Sequence, residues 1–469
     1  MSDKKNKFAE DKARRSFLFS IMASSPFILS NLSAGSANAK QLSGIHVIVV
    51  GAGVSGLAAA QNLKSKGAKV TILESKNRIG GRLYTDYTLG APFEVGAGWI
   101  HGPSDKNPIK KLAKQIDART FVTDDEKYVL FDKNGNRVSD KKFREIDRKW
   151  ASILTQIDDE LEITDRRSLA EVIRKKFPGK LKDPLISWTF SAYTEFNQGG
   201  PIEEISAYFH DEGDAFDGKD VILPDGYDKI LRALSQNLDI KLEHSVNKIA
   251  YGGDGVTISC NQKDFFADYV VCSVPLGVLK NKTIKFNPPL PKSYQNKINR
   301  LGFGSVTKIA FKFNEAFWDP EVQYFGIASN IKGRWNLWLN YRTFCQQNIL
   351  MGLSMGSYAK IADKMSIPEM TKDALSVLKS VWGEDVPDPS AAICTNWSED
   401  AETFGAYSYP KSKSTPPDFD GLADGISGDY YKTLFLCGEH TTFDYAGTLH
   451  GAYMTGIWAA EAIMEEEQP

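Results

Sequence analysis

Three glycines near the start of the chain have the spacing of a phosphate-binding turn. Gly51, Gly53 and Gly56 follow the β-branched apolar run Ile45 to Val50 and open a stretch with helical spacing. In such a turn the first glycine permits the tight bend, the second lets the backbone approach a pyrophosphate, and the third lets helix and strand pack closely. The positive end of the helix then faces the phosphates. This pattern predicts a dinucleotide site.

Residues further along refine that prediction. Glu74 ends the second predicted strand, Lys69 to Leu73, where its carboxylate can accept hydrogen bonds from both hydroxyls of a ribose. Arg82 can offer a planar fork of donors to a pyrophosphate. Gly98 and Trp99 lie in a segment whose small residues let the backbone lie against a flat ring system. Together these features favour FAD over NAD.

Three segments carry a family resemblance. The runs 96–103, 436–441 and 448–452 resemble motifs of the flavin-containing amine oxidase family, and the first of them is most similar to the polyamine and spermine oxidases. The similarity extends over about residues 43 to 465. It implies an FAD cofactor, a small cationic amine as substrate and dioxygen as the electron acceptor.

The same resemblance assigns more residues to the cofactor site. Glu439 would hold a ribityl hydroxyl, and Val246 is placed among the residues that contact the cofactor. The helix that begins near Thr448 and Leu449 would aim its N–H groups at the flavin pyrimidine carbonyl, where negative charge develops on reduction. Ala406 stands where the monoamine oxidases carry a cysteine linked covalently to the flavin, so non-covalent FAD is expected.

Lys308 is the first candidate for catalysis. It interrupts an otherwise apolar strand-like run, Val306 to Phe313, and a lysine there is costly to bury unless it is paired or hydrated. The segment resembles the strand that bears the family's active-site lysine, which holds a water near flavin N5. The alternative is a lysine on the solvent face of a half-buried strand.

Aromatic and acidic residues complete the predicted site. Trp397 and Tyr407 match the loop that forms one wall of the family's amine cage, whereas Thr448 replaces the second aromatic wall and predicts a more open cage. Glu195 resembles a substrate-binding acid of plant polyamine oxidases. His101 matches a histidine that bonds an inner amine in animal polyamine oxidases. The alternatives are core aromatics, a solvated acid and a structural histidine.

Composition excludes several other classes of protein. The 469 residues carry 57 basic and 59 acidic side chains, a balance without the footprint of a nucleic-acid-binding protein. The acidic stretch Asp211 to Asp214 resembles a substrate-attracting rim, although a solvated loop is the plainer reading. The five cysteines are widely spaced and show no metal-ligand spacing, so buried structural thiols and no metal site are expected.

The first 39 residues have the pattern of an export signal. Arg14 and Arg15 precede an apolar run from Phe17 to about Leu32, and Ala37-Asn38-Ala39 reads as a cleavage site. The paired arginines resemble a twin-arginine signal, which predicts export of the folded protein to the periplasm or the medium. An uncleaved anchor or a disordered tail is the alternative. No other stretch is long and apolar enough to predict a membrane span.

Strand–turn–helix patterns at the start, middle and end of the chain predict an α/β fold. We expect a discontinuous Rossmann-like FAD-binding domain (40–102, 220–290 and 425–469) interleaved with an α+β substrate-binding domain (103–219 and 291–424). The predicted reaction oxidises an amine to an imine, which hydrolyses to an aldehyde and an amine, with hydrogen peroxide as the other product.

Other functions remain open at this point. An L-amino-acid oxidase would need a cation for the substrate carboxylate, for which Arg334 and Arg342 are candidates, and another monoamine oxidase is a further alternative. An isoprenoid desaturase would share the first motif but would not need Lys308. A non-catalytic FAD-binding module is the alternative of another class. A histone demethylase is disfavoured, because no long coiled-coil insertion is present.

Overall fold

A computed structural model describes residues 42–124, 128–253, 255–261, 263–428 and 430–468. The predicted export signal at 1–39 lies outside the described residues. The contacts group residues 40–469 into one compact unit. Within the described ranges, no helix is both long and apolar enough to cross a membrane.

The described strands are short, and their bounds in chain order are as follows: β1 (His46–Val50), β2 (Lys69–Leu73), β3 (Thr85–Asp86), β4 (Phe93–Glu94), β5 (Phe121–Val122), β6 (Tyr128–Phe131), β7 (Val221–Ile222), β8 (Asp239–Lys241), β9 (Val246–Gly252), β10 (Gly255–Cys260), β11 (Asp264–Ala267), β12 (Tyr269–Cys272), β13 (Lys285–Asn287), β14 (Gly302–Phe303), β15 (Thr307–Lys312), β16 (Tyr324–Ile327), β17 (Leu337–Asn340), β18 (Ile349–Ser354), β19 (Ala391–Cys394), β20 (Ser408–Tyr409), β21 (Ile426–Ser427) and β22 (Lys432–Leu436).

The described α-helices have these bounds: α1 (Val54–Ser65), α2 (Pro108–Gln115), α3 (Asp140–Asp158), α4 (Leu169–Lys176), α5 (Pro184–Thr189), α6 (Phe196–Gln198), α7 (Lys229–Ser235), α8 (Leu276–Asn281), α9 (Lys292–Arg300), α10 (Gly356–Ala362), α11 (Ile367–Trp382), α12 (Pro416–Asp420) and α13 (Leu449–Glu466). A π-helix, Phe190–Glu195, joins α5 to α6.

The first large sheet is built from strands that lie far apart in sequence. Its order is β21-β22-β12-β1-β2-β8, and its pairings are parallel except at β21. The strand β1 reads His-Val-Ile-Val-Val, and its four valine and isoleucine residues are buried, as expected for a parallel strand covered on both faces. Because parallel strands end at one edge, the glycine turn after β1 and Glu74 after β2 lie at the same edge.

Two helices pack closely against this sheet. A Cβ on Gly456 of α13 would collide with the carbonyl oxygen of Ser55 in α1, so the two helix backbones approach each other directly. Their facing residues are small, which permits that approach. The contact fixes the start of α13 relative to the glycine turn at the start of α1.

The second large sheet is mostly antiparallel, in the order β19-β15-β18-β17-β16-β6, and only β6 pairs in parallel. Its strands are β-branched and aromatic, and β16, β17 and β18 are buried along their whole length. Lys308 lies in β15 and Leu353 of β18 stands directly opposite it. Directly opposite residues of an antiparallel pair share one face of the sheet.

The fold confirms the predicted class, an α/β architecture with a discontinuous Rossmann-like sheet. The predicted domain boundaries stay predictions. All five cysteines are free, but only Cys272 and Cys437 are buried, and the prediction of burial is wrong for Cys260, Cys345 and Cys394, which are partly exposed. No group of side chains among the described residues could hold a metal ion.

Candidate active site

The glycine turn has the shape that a pyrophosphate requires. Gly51 has a φ of 100°, in the left-handed region that favours glycine. A Cβ on Gly56 would collide with the carbonyl oxygen of Gly51, whereas a Cβ on Gly53 would point into open space. Gly53 is also the N-cap of α1, and no side chain caps that helix end. The uncapped N–H groups and the open space fit a phosphate.

Glu74 is held beside this turn. Its side chain is buried and accepts hydrogen bonds from the backbone N–H of Ala52 at 2.7 Å and of Lys76 at 2.9 Å. The carbonyl oxygen of Glu74 accepts from the N–H of His244 at 2.8 Å, which brings Val246, the first residue of β9, towards the same edge. The structure therefore gathers Glu74 and the glycine turn, and Val246 lies two residues beyond His244.

Arg82 and Glu439 form the next part of the site. Arg82 donates to Glu439 and to the carbonyl oxygen of Ala406, both at 2.8 Å. The second oxygen of Glu439 accepts from Ser408 and from the N–H of Gly447 at 2.9 Å. Burial pushes the pKa of Glu439 upward, but the charge of Arg82 brings the pKa below its ordinary value. Both oxygens of Glu439 already accept from protein donors, and its role in holding a ribityl hydroxyl stays a prediction.

Thr448 starts the last helix. Its hydroxyl accepts from the N–H of Gly451 at 3.0 Å and donates to the carbonyl oxygen of Tyr445 at 2.7 Å, so Thr448 is the N-cap of α13 and Leu449 its first residue. The predicted start of this helix, near Thr448 and Leu449, agrees with the structure. An 18-residue helix carries a partial positive charge at this end, suited to an anionic pyrimidine.

Lys308 is buried, with 6% of its surface exposed, and its ammonium faces carbonyl oxygens. Its Nζ donates to the carbonyl oxygens of Glu94 at 2.8 Å and Gly96 at 2.5 Å and lies 5.6 Å from the centre of the Trp99 ring. The Glu94 carboxylate turns away, accepting from Thr85 at 2.6 Å and from the Tyr227 N–H at 2.8 Å.

Burial displaces the pKa of both members of this pair. It lowers the pKa of Lys308, and the negative charge of Glu94 only partly offsets that effect. It raises the pKa of Glu94, against the hydrogen bond from Thr85 and the charge of Lys308. Such displacement in a cleft is typical of functional sites.

A small cavity adjoins Lys308. Its volume is about 20 Å³, room for about one water molecule, and its lining includes Glu94, Gly98, Trp99 and Lys308. A Cβ on Gly98 would stand 3.8 Å from Nζ of Lys308 and 3.4 Å from Cβ of Glu94. The structure thus brings Lys308, Gly98 and Trp99 together, and their roles at the flavin stay predictions.

The predicted aromatic cage lies next to the cofactor residues. The ring of Tyr407 packs against Gly447, directly before Thr448, and its hydroxyl donates to the carbonyl oxygen of Phe196. Phe196 meets Trp99 edge to face, with ring centres 5.8 Å apart. Trp397 is buried, and its indole N–H donates to the carbonyl oxygen of Val95 at 3.1 Å.

A much larger cavity, about 580 Å³, opens on the other side of Trp99. Among the described residues, six aromatic side chains line it: Trp99, Tyr128, Trp150, Tyr193, Phe196 and Tyr324. The described lining also includes His101, Asp147, Arg148 and Asp220. His101 is half-exposed and meets Asp220 at 2.5 Å. Sequence reasoning missed Asp147 and Asp220, because neither lies in a recognisable motif.

Glu195 lies elsewhere. It is fully buried in the π-helix, forms an ion pair with Lys332 at 2.5 Å and accepts from the N–H of Ile202 at 2.9 Å. It is absent from the lining of both cavities. The acidic residues Asp211 and Asp214 are exposed to solvent and likewise line neither cavity.

Comparison with known proteins identifies the class of enzyme. The family model of flavin containing amine oxidoreductases matches residues 54–464, and the chain belongs to this family. Together with the glycine turn, Glu74 and Arg82, which fit the cofactor, this makes the protein an FAD-dependent amine oxidoreductase.

Individual relatives extend over most of the chain. Probable polyamine oxidase 4 of Arabidopsis thaliana is 30% identical over 449 residues, which cover 88% of this chain and 86% of that protein. Polyamine oxidase 4 of Oryza sativa subsp. japonica is 31% identical over 440 residues, 88% of each chain.

Two further comparisons carry less functional weight. Lysine-specific histone demethylase 1 homolog 2 of Arabidopsis thaliana is 34% identical over 440 residues, but the chain spans 58% of that protein. The structure of putrescine oxidase bound to putrescine matches with a TM-score of 0.72 over 90% of this chain and 99% of that chain, at 19% identity. At that identity the likeness shows the fold alone.

Proposed function

We propose that this protein oxidises a polyamine at a carbon next to an amine nitrogen, and that the resulting imine takes up water to give an aldehyde and a shorter amine. When bound, FAD supplies the electron chemistry, accepting a hydride equivalent and passing two electrons to dioxygen with formation of hydrogen peroxide. The observation that carries this proposal is the large aromatic cavity, which has two carboxylates in its lining and shares Trp99 with the small cavity at Lys308.

The walls of that cavity suit an alkylammonium chain. Aromatic faces attract cations, and a carboxylate-bearing cleft raises the local concentration of a polycation. The Asp220–His101 pair lies at the Trp99 end, where it can bond an amine nitrogen near the predicted cage. The protein's contribution is therefore to bind the chain, orient one C–H bond and exclude competing reactions.

Lys308 would hold the water of the small cavity. Two of the three donor positions of its ammonium are taken by the carbonyl oxygens of Glu94 and Gly96, which leaves one for a water. The volume of the cavity matches one such molecule. We place Lys308 in the step that uses dioxygen, where a positioned proton donor is useful.

An L-amino-acid oxidase is the second candidate. Arg334 is bound to Asp373 at 2.6 Å, and Arg342 donates to the carbonyl oxygen of Gln346 at 2.8 Å, so the predicted carboxylate-binding arginines have other partners. Arg148 is the cation that favours this candidate, because it lines the large cavity. Its exposure to solvent weakens its pull on a bound carboxylate.

A screen for peroxide release separates these functions. The purified holoenzyme is given spermine, spermidine, acetylated polyamines, putrescine, tyramine and free amino acids in turn. We expect the highest kcat/KM with a polyamine. Activity confined to amino acids would overturn the proposal, and peptide lysine methylamines as the sole substrates would favour the demethylase relatives instead.

We also propose that the chain is exported in folded form to the periplasm or the medium. The support is the Arg14-Arg15 pair, the apolar run after it and the small-residue site at 37–39. Replacement of both arginines by lysine should leave the holoenzyme in the cytoplasm in a fractionation experiment, because the twin-arginine route reads that pair. Unchanged export of the variant would contradict this route.

A further inference from the structure

One end of the large cavity is formed by helix α3. Asp147, Trp150 and Ala151 line the cavity at spacings of three and four residues, which places them on one face of the helix. The buried residues Ile146, Ile153 and Ile157 hold α3 in the core. The cavity-facing carboxylate is therefore mounted on a rigid 19-residue helix rather than on a loop.

Asp147 is half-buried and accepts one hydrogen bond, from the hydroxyl of Tyr193 at 3.2 Å. Among the described residues no lysine, arginine or histidine forms an ion pair with it. Its neighbour Arg148 is exposed and donates to the carbonyl oxygen of Arg144 at 3.1 Å. Burial raises the pKa of Asp147 above its ordinary range, a displacement that a bound cation would reverse.

Aromatic rings connect this carboxylate to the rest of the large cavity. Trp150 meets Tyr193 edge to face, with ring centres 5.1 Å apart. Tyr193 lies 6.3 Å from Tyr128, which stacks on Tyr324 at 5.0 Å. A carboxylate framed by aromatic faces is an environment that binds an alkylammonium group, because both the charge and the ring quadrupoles attract it.

The second sheet extends from Lys308 along the wall of the large cavity. Lys308 in β15 stands opposite Leu353 in β18, which stands opposite Leu337 in β17, and both leucines line the cavity. The lining continues through Tyr324 in β16 to Tyr128 in β6. Four strand spacings separate β15 from β6, roughly 19 Å in all.

We propose that Asp147 binds the distal ammonium of a long linear polyamine that is oxidised next to an inner amine nitrogen beside Lys308, so that this residue selects for chain length. The inference rests on the proposed function and deepens it. A short monoamine or diamine placed for oxidation cannot span the cavity to α3. Asp147 would then lower KM for long substrates without touching the reacting bond.

The test compares a long and a short amine on the holoenzyme. Spermine is the long probe, and butylamine, as substrate or inhibitor, is the short one. For Asp147→Asn we expect kcat/KM for spermine to fall on the order of tenfold or more, through KM, while the constant for butylamine is unchanged. Asp147→Glu should restore part of the loss, and Arg148→Gln should keep or raise spermine affinity.

The possible outcomes distinguish a failure of the role of Asp147 from a failure of the proposed amine oxidation. Equal losses for spermine and butylamine, a loss in kcat alone, or no loss would each overturn the role of Asp147 while leaving amine oxidation intact. A wild-type holoenzyme that oxidises no amine would instead sink the proposed function, and the inference with it. An unchanged unfolding temperature of Asp147→Asn would show that the variant folds normally. Tyr193→Phe keeps the aromatic ring and the charge of Asp147, so it should lose less kcat/KM for spermine than Asp147→Asn.

Discussion

Two lysines of this protein stand beside buried glutamates, and the two pairs differ in how the charges meet. Lys332 reaches Glu195 directly, at 2.5 Å, and Glu203 at 2.9 Å. Among the described residues, Lys308 donates only to the backbone oxygens of Glu94 and Gly96, while the Glu94 carboxylate has other donors. The first lysine is neutralised by carboxylates, and the second keeps an ammonium position beside a cavity.

This difference indicates which of the two buried lysines takes part in the reaction. When a buried lysine is paired directly with carboxylates, they offset the cost of removing its ammonium from water. Such a pair contributes to stability as long as both partners stay in place. A lysine bound to neutral carbonyls has its charge only partly offset, here by Glu94, and a merely structural position would avoid this cost. Lys308 therefore belongs to the chemistry and Lys332 to the scaffold, although Glu195, the partner of Lys332, is the acid that resembles a substrate ligand.

The largest effect is expected on stability, from Lys332→Met. The change leaves Glu195 buried without its cation, and we expect the free energy of unfolding to fall by about 3–5 kcal/mol. Chemical denaturation measures the loss. Glu195→Gln is the matched control and should cost less, because Lys332 retains Glu203. A Lys332→Met protein as stable as wild type would remove the contrast between the pairs.

Lys308→Met should act on the rate instead. Methionine fills most of the space but cannot hold the water, so we expect reoxidation of the reduced flavin by dioxygen to slow by on the order of 100-fold or more. Stopped-flow absorbance in aerated buffer measures it. Lys308→Arg keeps the charge as a control. Reoxidation at the wild-type rate, with unchanged amine oxidation, would remove Lys308 from the mechanism.

The smallest effect is a displacement in pH, produced by Glu94→Gln. The charge of Glu94 raises the pKa of Lys308 against the effect of burial, so its removal disfavours the ammonium and lowers that pKa further. The titration of Lys308 should produce an inflection in the pH profile of flavin reoxidation, and in Glu94→Gln this inflection should move to lower pH. In Lys308→Met the inflection should be absent. An inflection that moves to higher pH would reverse the assignment.

Local patterns predicted the cofactor side well. The predicted strand Lys69–Leu73 agrees residue for residue with β2, and the glycine turn has the geometry read from its spacing. These features depend on neighbours in sequence, so a short motif specifies them. The start of α13 near Thr448 was predicted from the resemblance of its motif, since Gly451 and Gly456 lower helix propensity, whereas packing against α1 requires a small residue at Gly456.

The substrate side could not be read in the same way. Glu195 pairs with a lysine 137 positions away, and Asp147 meets the hydroxyl of Tyr193, 46 positions away. Tertiary packing alone creates these contacts, and no spacing in the sequence signals them. Lys308 was found because a charge inside an apolar strand is anomalous by itself, whereas an acid on an amphipathic helix is ordinary.

The most direct measurement is anaerobic mixing of the holoenzyme with spermine, followed by the visible absorbance of the flavin. We expect the oxidised flavin bands to bleach, with one shortened amine and one aldehyde released per flavin reduced. Lys332→Met protein that is still folded under the assay conditions should bleach at the wild-type rate. Flavin that stays oxidised with spermine and with every other amine would contradict amine oxidation at the Lys308 site and leave the protein as a binding module for FAD.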